Sequence, residues 1–228
     1  MQIDVLDKGY VKLVDSMGTD MSVVRSARVS HGADEVDRTF EDNVKLINYL
    51  WKNKHTTPFE SATITFEIKA PIFVFRQWHR HRTQSYNEIS ARYTELPDEF
   101  YVPSAAKIGE QSAKNKQARC LPETASSDLA LTHRINIADY TRICQIAFEQ
   151  YKVLLNCGWP RELARMVLPV STYSRMYTTM NLLNAFKFIT LRSDSHAQYE
   201  IRVYSDAMLS ILETLYPECV RAFKNEQS

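Results

Sequence analysis

Residues 62–78, ATITFEIKAPIFVFRQW, change period in the middle. Ile64, Phe66 and Ile68 alternate with Thr63, Thr65 and Glu67, the pattern of a half-buried strand. Pro71 then fits the opening of a short helix through IFVFRQWHR, because its fixed φ suits a first helical position. The rest of the chain mixes the two periods irregularly. A turn at Asp7-Lys8-Gly9 leads into a strand ending near Gly18, and TDMSVVRSARVS reads as a helix capped by Asp20 or Ser22. RTFEDNVKLINYLWKN carries Phe40, Val44, Ile47 and Leu50 at helical spacing. EFYVP reads as a short strand and 103–127 as an exposed polar loop. Residues 128–156 read as a long amphipathic helix stopped at Gly158, with Pro160 opening the next. STYSRMYTTM reads as a strand, Asn181 caps LLNAFKFITLR, and a last helix covers HAQYEIRVYSDAMLSILETL. The expected fold class is α+β: a mixed sheet flanked by helices, with long helices in the C-terminal half, in one domain over 1–228.

Against 28 Lys+Arg the chain sets 27 Asp+Glu, a net charge of +1, so no general affinity for nucleic acid is implied. The four cysteines Cys120, Cys144, Cys157 and Cys219 lie far apart with no CxxC spacing, which suits isolated thiols in a reducing cytosol. The N-terminus lacks a basic-then-apolar leader, and no apolar run is long enough to cross a bilayer, so a cytoplasmic protein is expected.

Within this balanced chain, FRQWHRHRTQSYNEISARYTE (75–95) concentrates Arg76, Arg80, Arg82 and Arg92 with His79, His81, Ser85, Asn87 and Ser90. With 72–80 helical, Gln77, Arg80 and His81 share a face. If the following residues are extended, Glu88, Ser90 and Arg92 point the same way. Guanidinium groups bind phosphate oxygens in pairs, and hydroxyl or backbone N–H groups take the remaining acceptors. Glu88 would repel a phosphate and suits a ribose hydroxyl, or an arginine that it orients. Two other readings stand beside this one: a solvated basic face, and an RNA- or DNA-binding segment with interleaved aromatics. The two histidines lack a third ligand, and no metal is expected. GxGxxG, GxxxxGK[ST] and GxSxG are all absent.

RHRTQSYNEISARY (80–93) matches the RHR-x7-S signature, with Arg80-His81-Arg82 followed by Ser90, and it resembles the flavin-dependent thymidylate synthases. LDKGYVKLVDSMG, ARVS (27–30), HTTPFE (55–60), KAPIFVFRQW (69–78), ARMVLP (164–169) and LRSDSHAQYE (191–200) extend the resemblance in order through the chain. The resemblance implies an α+β enzyme making dTMP from dUMP. The carbon comes from 5,10-methylenetetrahydrofolate, the hydride from FAD reduced by NADPH, and the active sites are shared within a homotetramer. None of the four cysteines lies in the shared blocks, so attack by a thiol on the pyrimidine is not implied. The implied catalytic residue is Arg192, contacting the pyrimidine and favouring loss of its N3 proton, a role suited to a planar donor that stays charged. Ser90 has no evident base to activate it as a nucleophile and is read as a ligand-positioning donor.

The dUMP positions implied are Gln77, Trp78, His79, Arg80, Glu88, Ile89, Ser90, Ala91, Arg92, Arg165 and Arg192. Those for FAD are Ser30, His55, Thr57, Arg80, His81, Arg82, Thr83, Glu88, Asn181, Leu182, Leu183 and Lys187. His55 and His196 are implied to lie near folate, with an ordinary structural role as the alternative. Relatives often carry Arg at the position of Leu183 and Asn at that of Lys187, so an altered FAD pose or affinity is expected.

Overall fold

The computed structural model describes residues 1–30, 32, 38–113, 119–120 and 127–226. In chain order it runs β1 (Gln2–Val5), β2 (Gly9–Met17), α1 (Asp20–Val29), α2 (Phe40–Lys52), β3 (Thr63–Pro71), α3 (Ile72–Trp78) and β4 (Ser85–Glu88). Then come a two-residue ribbon, β5 (Glu110–Gln111) and β6 (Arg119–Cys120), the long helix α4 (Ser127–Asn156), and α5 (Arg161–Ala164). Strand β7 (Tyr173–Asn181), α6 (Leu182–Arg192), α7 (Tyr199–Leu215) and α8 (Pro217–Asn225) complete the chain. Of the loop expected over 103–127, residues 114–118 and 121–126 lie outside the described residues.

The main sheet has the order β1-β2-β3-β7-β4. Each pairing is antiparallel, where a mixed sheet was expected. Helices α1 and α2 form an excursion between β2 and β3, which then pair as if joined by a long hairpin. The alternation in 62–70 is realised: Ile64, Phe66, Ile68 and Ala70 are fully buried beneath the helices. Thr65, Glu67 and Lys69 face the other side, where Glu67 takes the Tyr10 hydroxyl at 2.7 Å and lies within 3.5 Å of both Lys12 and Arg175. Burial, then Glu67, pushes the Tyr10 hydroxyl up to about 12.

Trp51, Phe59, Phe186 and Phe223 tie α2, α6 and α8 together, with Phe186 and Phe223 stacked 4.4 Å apart. Such pairs add about 0.5–1.5 kcal/mol each beyond their burial. A second core, built from Phe100, Cys144, Phe148, Tyr151 and Ala164, fixes α4 against the segment around Arg165–Leu168.

Local signals explain the helix ends. Thr19, not Asp20 or Ser22, caps α1, and Ser22 returns the bond to the Thr19 N–H, closing a capping box. Asp20 instead accepts from the N–H groups of Glu218 and Cys219, at 3.1 and 2.9 Å, across the fold at the start of α8. Asn181 caps α6 as expected, accepting from Asn184 N–H at 2.9 Å. EFYVP makes only a single bridge, Phe100 to Thr172.

Gly9 opens β2 because nothing larger fits. A β-carbon there would lie 2.0 Å from the Tyr204 hydroxyl and 2.8 Å from the Lys69 carbonyl, two groups already hydrogen-bonded to each other at 2.8 Å. Gly9→Ala is expected to cost about 1–3 kcal/mol by overpacking. A lower urea midpoint checks this; an unchanged midpoint would show that Tyr204 yields freely.

Candidate active site

Strand β4 is an edge strand, and its alternation divides the site. Ser85 pairs with Thr179 and Glu88 with Met176. Tyr86 and Glu88 therefore point to the helix-covered side, and Ser85 and Asn87 to the open side. The Tyr86 hydroxyl donates to the His81 carbonyl, with the Trp78 carbonyl 3.3 Å away, and so pins the end of α3 over the sheet. Burial pushes that hydroxyl up to about 12.

A cleft of about 690 Å³ lies between the end of β4 and the segment 165–170. One wall carries Glu88, Ile89, Ser90 and Ala91, and Arg165 faces them from the segment held by the second core. The Ser90 oxygen accepts from the Arg92 N–H at 3.3 Å, a local turn that leaves the hydroxyl proton free to donate. Arg165 donates Nε to the Glu162 carbonyl at 3.3 Å, which fixes the guanidinium and leaves its terminal nitrogens for a ligand. Arg92 lies 3.6 Å from Glu162 as a half-exposed pair. Two carboxylates line the cleft, Glu88 and Glu162, and Glu162 is paired with Arg92; the guanidinium and hydroxyl donors that remain beside Glu88 suit a phosphate joined to a hydroxyl-bearing sugar. Arg76 and Ser174 also line this cleft and were not assigned a ligand from sequence. Arg76 lies in the basic run. Ser174 gave only the weak signal of a polar residue in a strand.

Arg192 ends α6 and reaches the end of α3. Its Nε donates to His81 Nε2 at 2.8 Å, and its Nη2 to the Gln77 carbonyl at 3.1 Å. An arginine only donates, so His81 accepts at Nε2 and carries its proton on Nδ1. Burial first, and then the Arg192 charge, lowers His81 to about 4. Burial also lowers Arg192 from its ordinary value. Because the unfolded chain binds the His81 proton more readily, stability from this group is present above the ordinary histidine value of about 6.5. It is lost as pH falls toward about 4. Following the His81 ring protons against pH should give a midpoint well below 6; a midpoint at or above 6.5 would mean that Arg192 does not sit against the ring.

A second cleft, of about 470 Å³, gathers Arg82, Thr83 and Asn181 with Gln84, Asn184 and Glu60. The Gln84 carbonyl oxygen takes Trp78 Nε1 at 3.2 Å and Thr178 Oγ1 at 2.8 Å, which fixes the amide. Its buried Nε2 has no partner among the described residues. A guanidinium, a threonine hydroxyl, an unsatisfied amide and the N-terminus of α6 fit a group rich in phosphate and hydroxyl oxygens. This cleft lies at the sheet edge, reached by Ser85 and Thr179 from the open side and by Gln84 and Met180 from the covered side, whereas Glu88 and Ser174 put the first on the covered side.

Other positions scatter. Trp78, Leu182 and Leu183 are core side chains, so any contact from them to a ligand would run through the backbone. The resemblance implies Trp78 among the dUMP positions; its ring packs 4.5 Å from Phe188. Ser30, His55, Thr57 and Lys187 are exposed and line neither cleft. Arg80 is exposed, and Gln77 bonds to Gln198. His79 stands 4.0 Å from Glu88. His196 is exposed against Asp194 at 2.8 Å, and its N–H and ring hold that carboxyl below the usual range. Arg192 lines neither cleft.

The family model described as thymidylate synthase complementing protein matches residues 12–218. A flavin-dependent thymidylate synthase from Treponema denticola is 45% identical over 226 residues, covering 99% of this chain and 83% of its own. The chain belongs to the flavin-dependent thymidylate synthase family. The resemblance carried by Arg80-His81-Arg82 and Ser90 thus extends over almost the whole sequence. A thymidylate synthase of this family from Thermotoga neapolitana is 43% identical, covering 98% of this chain and 94% of its own. The fold resembles a UMP/dUMP methylase, PolB from Streptomyces cacaoi, solved bound with 5-Br UMP. That match has a TM-score of 0.84 and 38% identity, covering 96% of this chain and 94% of the other. The same methylase bound with 5-Br dUMP matches with a TM-score of 0.85 and 37% identity, covering 98% and 97%. A flavin-dependent thymidylate synthase is a methyl-transferring flavoenzyme, and the donor set of the second cleft fits the phosphates and hydroxyls of FAD.

Proposed function

We propose that this flavin-dependent thymidylate synthase converts dUMP to dTMP, with the nucleotide in the first cleft and FAD along the second. Ser90 and Arg165 hold the phosphate, each donating to it, and Arg92 adds charge at the rim. Glu88 accepts from a sugar hydroxyl. Arg192 presents a planar donor edge to the pyrimidine and favours the N3-deprotonated form, from which electron density reaches C5. Its charge gains effect as the closed site excludes water. Bound FAD, reduced by NADPH, supplies the hydride, and 5,10-methylenetetrahydrofolate the carbon. Arg82, Thr83 and Asn181 would hold the FAD oxygens. His55 and His196, both exposed, are left for folate.

The observation that carries the reading is the placement of Ser90 and Arg165 across one cleft from each other with Glu88 beside them. We propose that a second copy of the chain completes the site. Within one chain the two clefts are lined by different residues and Arg192 lines neither. Leu131, Ile135, Ile143 and Ile146 are exposed along α4, an apolar surface suited to burial in an assembly, for which we propose the homotetramer. Among the described residues no helix is long and apolar enough to cross a membrane. The four cysteines are unpaired, and we place the enzyme in the cytoplasm.

The test is spectral. Purified protein should be yellow or become so with FAD, dUMP should perturb the flavin absorbance, and all four components together should yield dTMP. A colourless protein that FAD cannot reconstitute would overturn the reading, the more so if it bound RNA with a steep salt dependence.

A further inference from the structure

The Glu88 carboxylate is held from behind by a residue with no assigned role. Ser174 lies on β7 opposite Ala70, a fully buried position on the helix-covered face of the sheet. Glu88 sits at the end of β4 opposite Met176, two residues along β7 from Ser174. Diagonal neighbours on one face of an antiparallel pair lie within reach of each other. Here the Ser174 hydroxyl donates to Glu88 Oε1 at 2.6 Å, a charge-assisted distance. Ser174 is only 5% exposed, so its hydroxyl does not turn to bulk water. A serine hydroxyl has one proton to give, and Glu88 takes it.

The other carboxylate oxygen is left for the cleft. Oε2 lies 4.0 Å from His79 Nε2, too far for a direct hydrogen bond. The His79 ring is itself fixed, stacked on Phe75 and edge-on to Tyr86, with its Nε2 3.4 Å from Met176 Sδ. Both Ser174 and Glu88 line the first cleft. A glutamate at the end of an edge strand has three rotatable bonds, and without a tether it would sweep several positions.

We propose that Ser174 is a positioning residue: it tethers one oxygen of Glu88 so that the other is aimed at the sugar 3′-hydroxyl of the nucleotide. This rests on the nucleotide reading of the cleft. It makes selection of the sugar depend on a residue that touches Glu88 and not the substrate.

The test uses FAD-loaded Ser174→Ala, Ser174→Thr and Glu88→Gln, titrated with dUMP and with its analogue lacking the 3′-hydroxyl. Ser174→Ala should weaken dUMP binding by about tenfold, the scale of one hydrogen bond to a charged group. The analogue should bind it as it binds the parent, and Ser174→Thr, which keeps the hydroxyl, should restore dUMP affinity. FAD content serves as the control for folding. If Glu88→Gln weakens dUMP selectively and Ser174→Ala does not, the positioning role is overturned and the nucleotide reading stands. If Ser174→Ala weakens both nucleotides equally, the effect is structural and the proposal fails. If all three variants bind both ligands as the parent does, the nucleotide reading falls with it.

Discussion

Arg192→Ala is expected to abolish dTMP formation while FAD stays bound and reducible by NADPH. The guanidinium uses Nε and Nη2 to bond His81 Nε2 and the Gln77 carbonyl, which consumes one edge and fixes its plane. The opposite edge, Nη1 with the second Nη2 proton, is left for a planar partner such as a pyrimidine. Removing a preorganised donor of this kind costs on the order of 10²–10³ in turnover. Lysine cannot rescue it, because a single ammonium reproduces neither the anchored edge nor the free one. Turnover with all substrates, set against the flavin spectrum of the same sample, checks this. Near-normal turnover in Arg192→Ala would remove the pyrimidine-activating role.

Trp78→Ala is expected to cost about 3–5 kcal/mol of stability, enough to unfold many domains. The ring is fully buried, 4.5 Å from Phe188 and 6.3 Å from Tyr204, and its Nε1 donates to Gln84. Alanine would leave a large cavity and strand the Gln84 oxygen with one donor. Trp78→Phe should retain most of the packing and bind dUMP as the parent does. Urea unfolding of both variants, with a dUMP titration of the second, tests the point. If Trp78→Ala folded normally and lost only dUMP affinity, the indole would be a ligand contact after all.

Trp78 shows where the sequence was legible and where it was not. The run 75–95 stood out because its cations and hydroxyls are dense in a chain of net charge +1. That density pointed to the proposed site, but not to which members face a ligand. Register decides that: β4 pairs Glu88 with Met176, and this sends Glu88 and Ser85 to opposite sides of the sheet. Registers are set by long-range pairing, which a local pattern does not contain. Ser174 was missed for the same reason, since its partner Glu88 is 86 residues away in sequence. Strong local signals held, among them the alternation in β3, Pro71 before α3 and Asn181 capping α6. Weak ones did not. Strand β1 is four residues long and marked only by its pairing with β2, and α8 follows α7 after the single residue Tyr216. Strand direction left no trace in the alternation, so the antiparallel order of the sheet had to come from the fold itself.

The central claim is that the cleft between β4 and the segment 165–170 holds the nucleotide. A crystal structure of the protein with FAD and dUMP tests it most directly. The account predicts the dUMP phosphate within hydrogen-bonding distance of the Ser90 hydroxyl and the Arg165 guanidinium, with the sugar against Glu88. Nucleotide density elsewhere on the molecule, with solvent between Ser90 and Arg165, would contradict it.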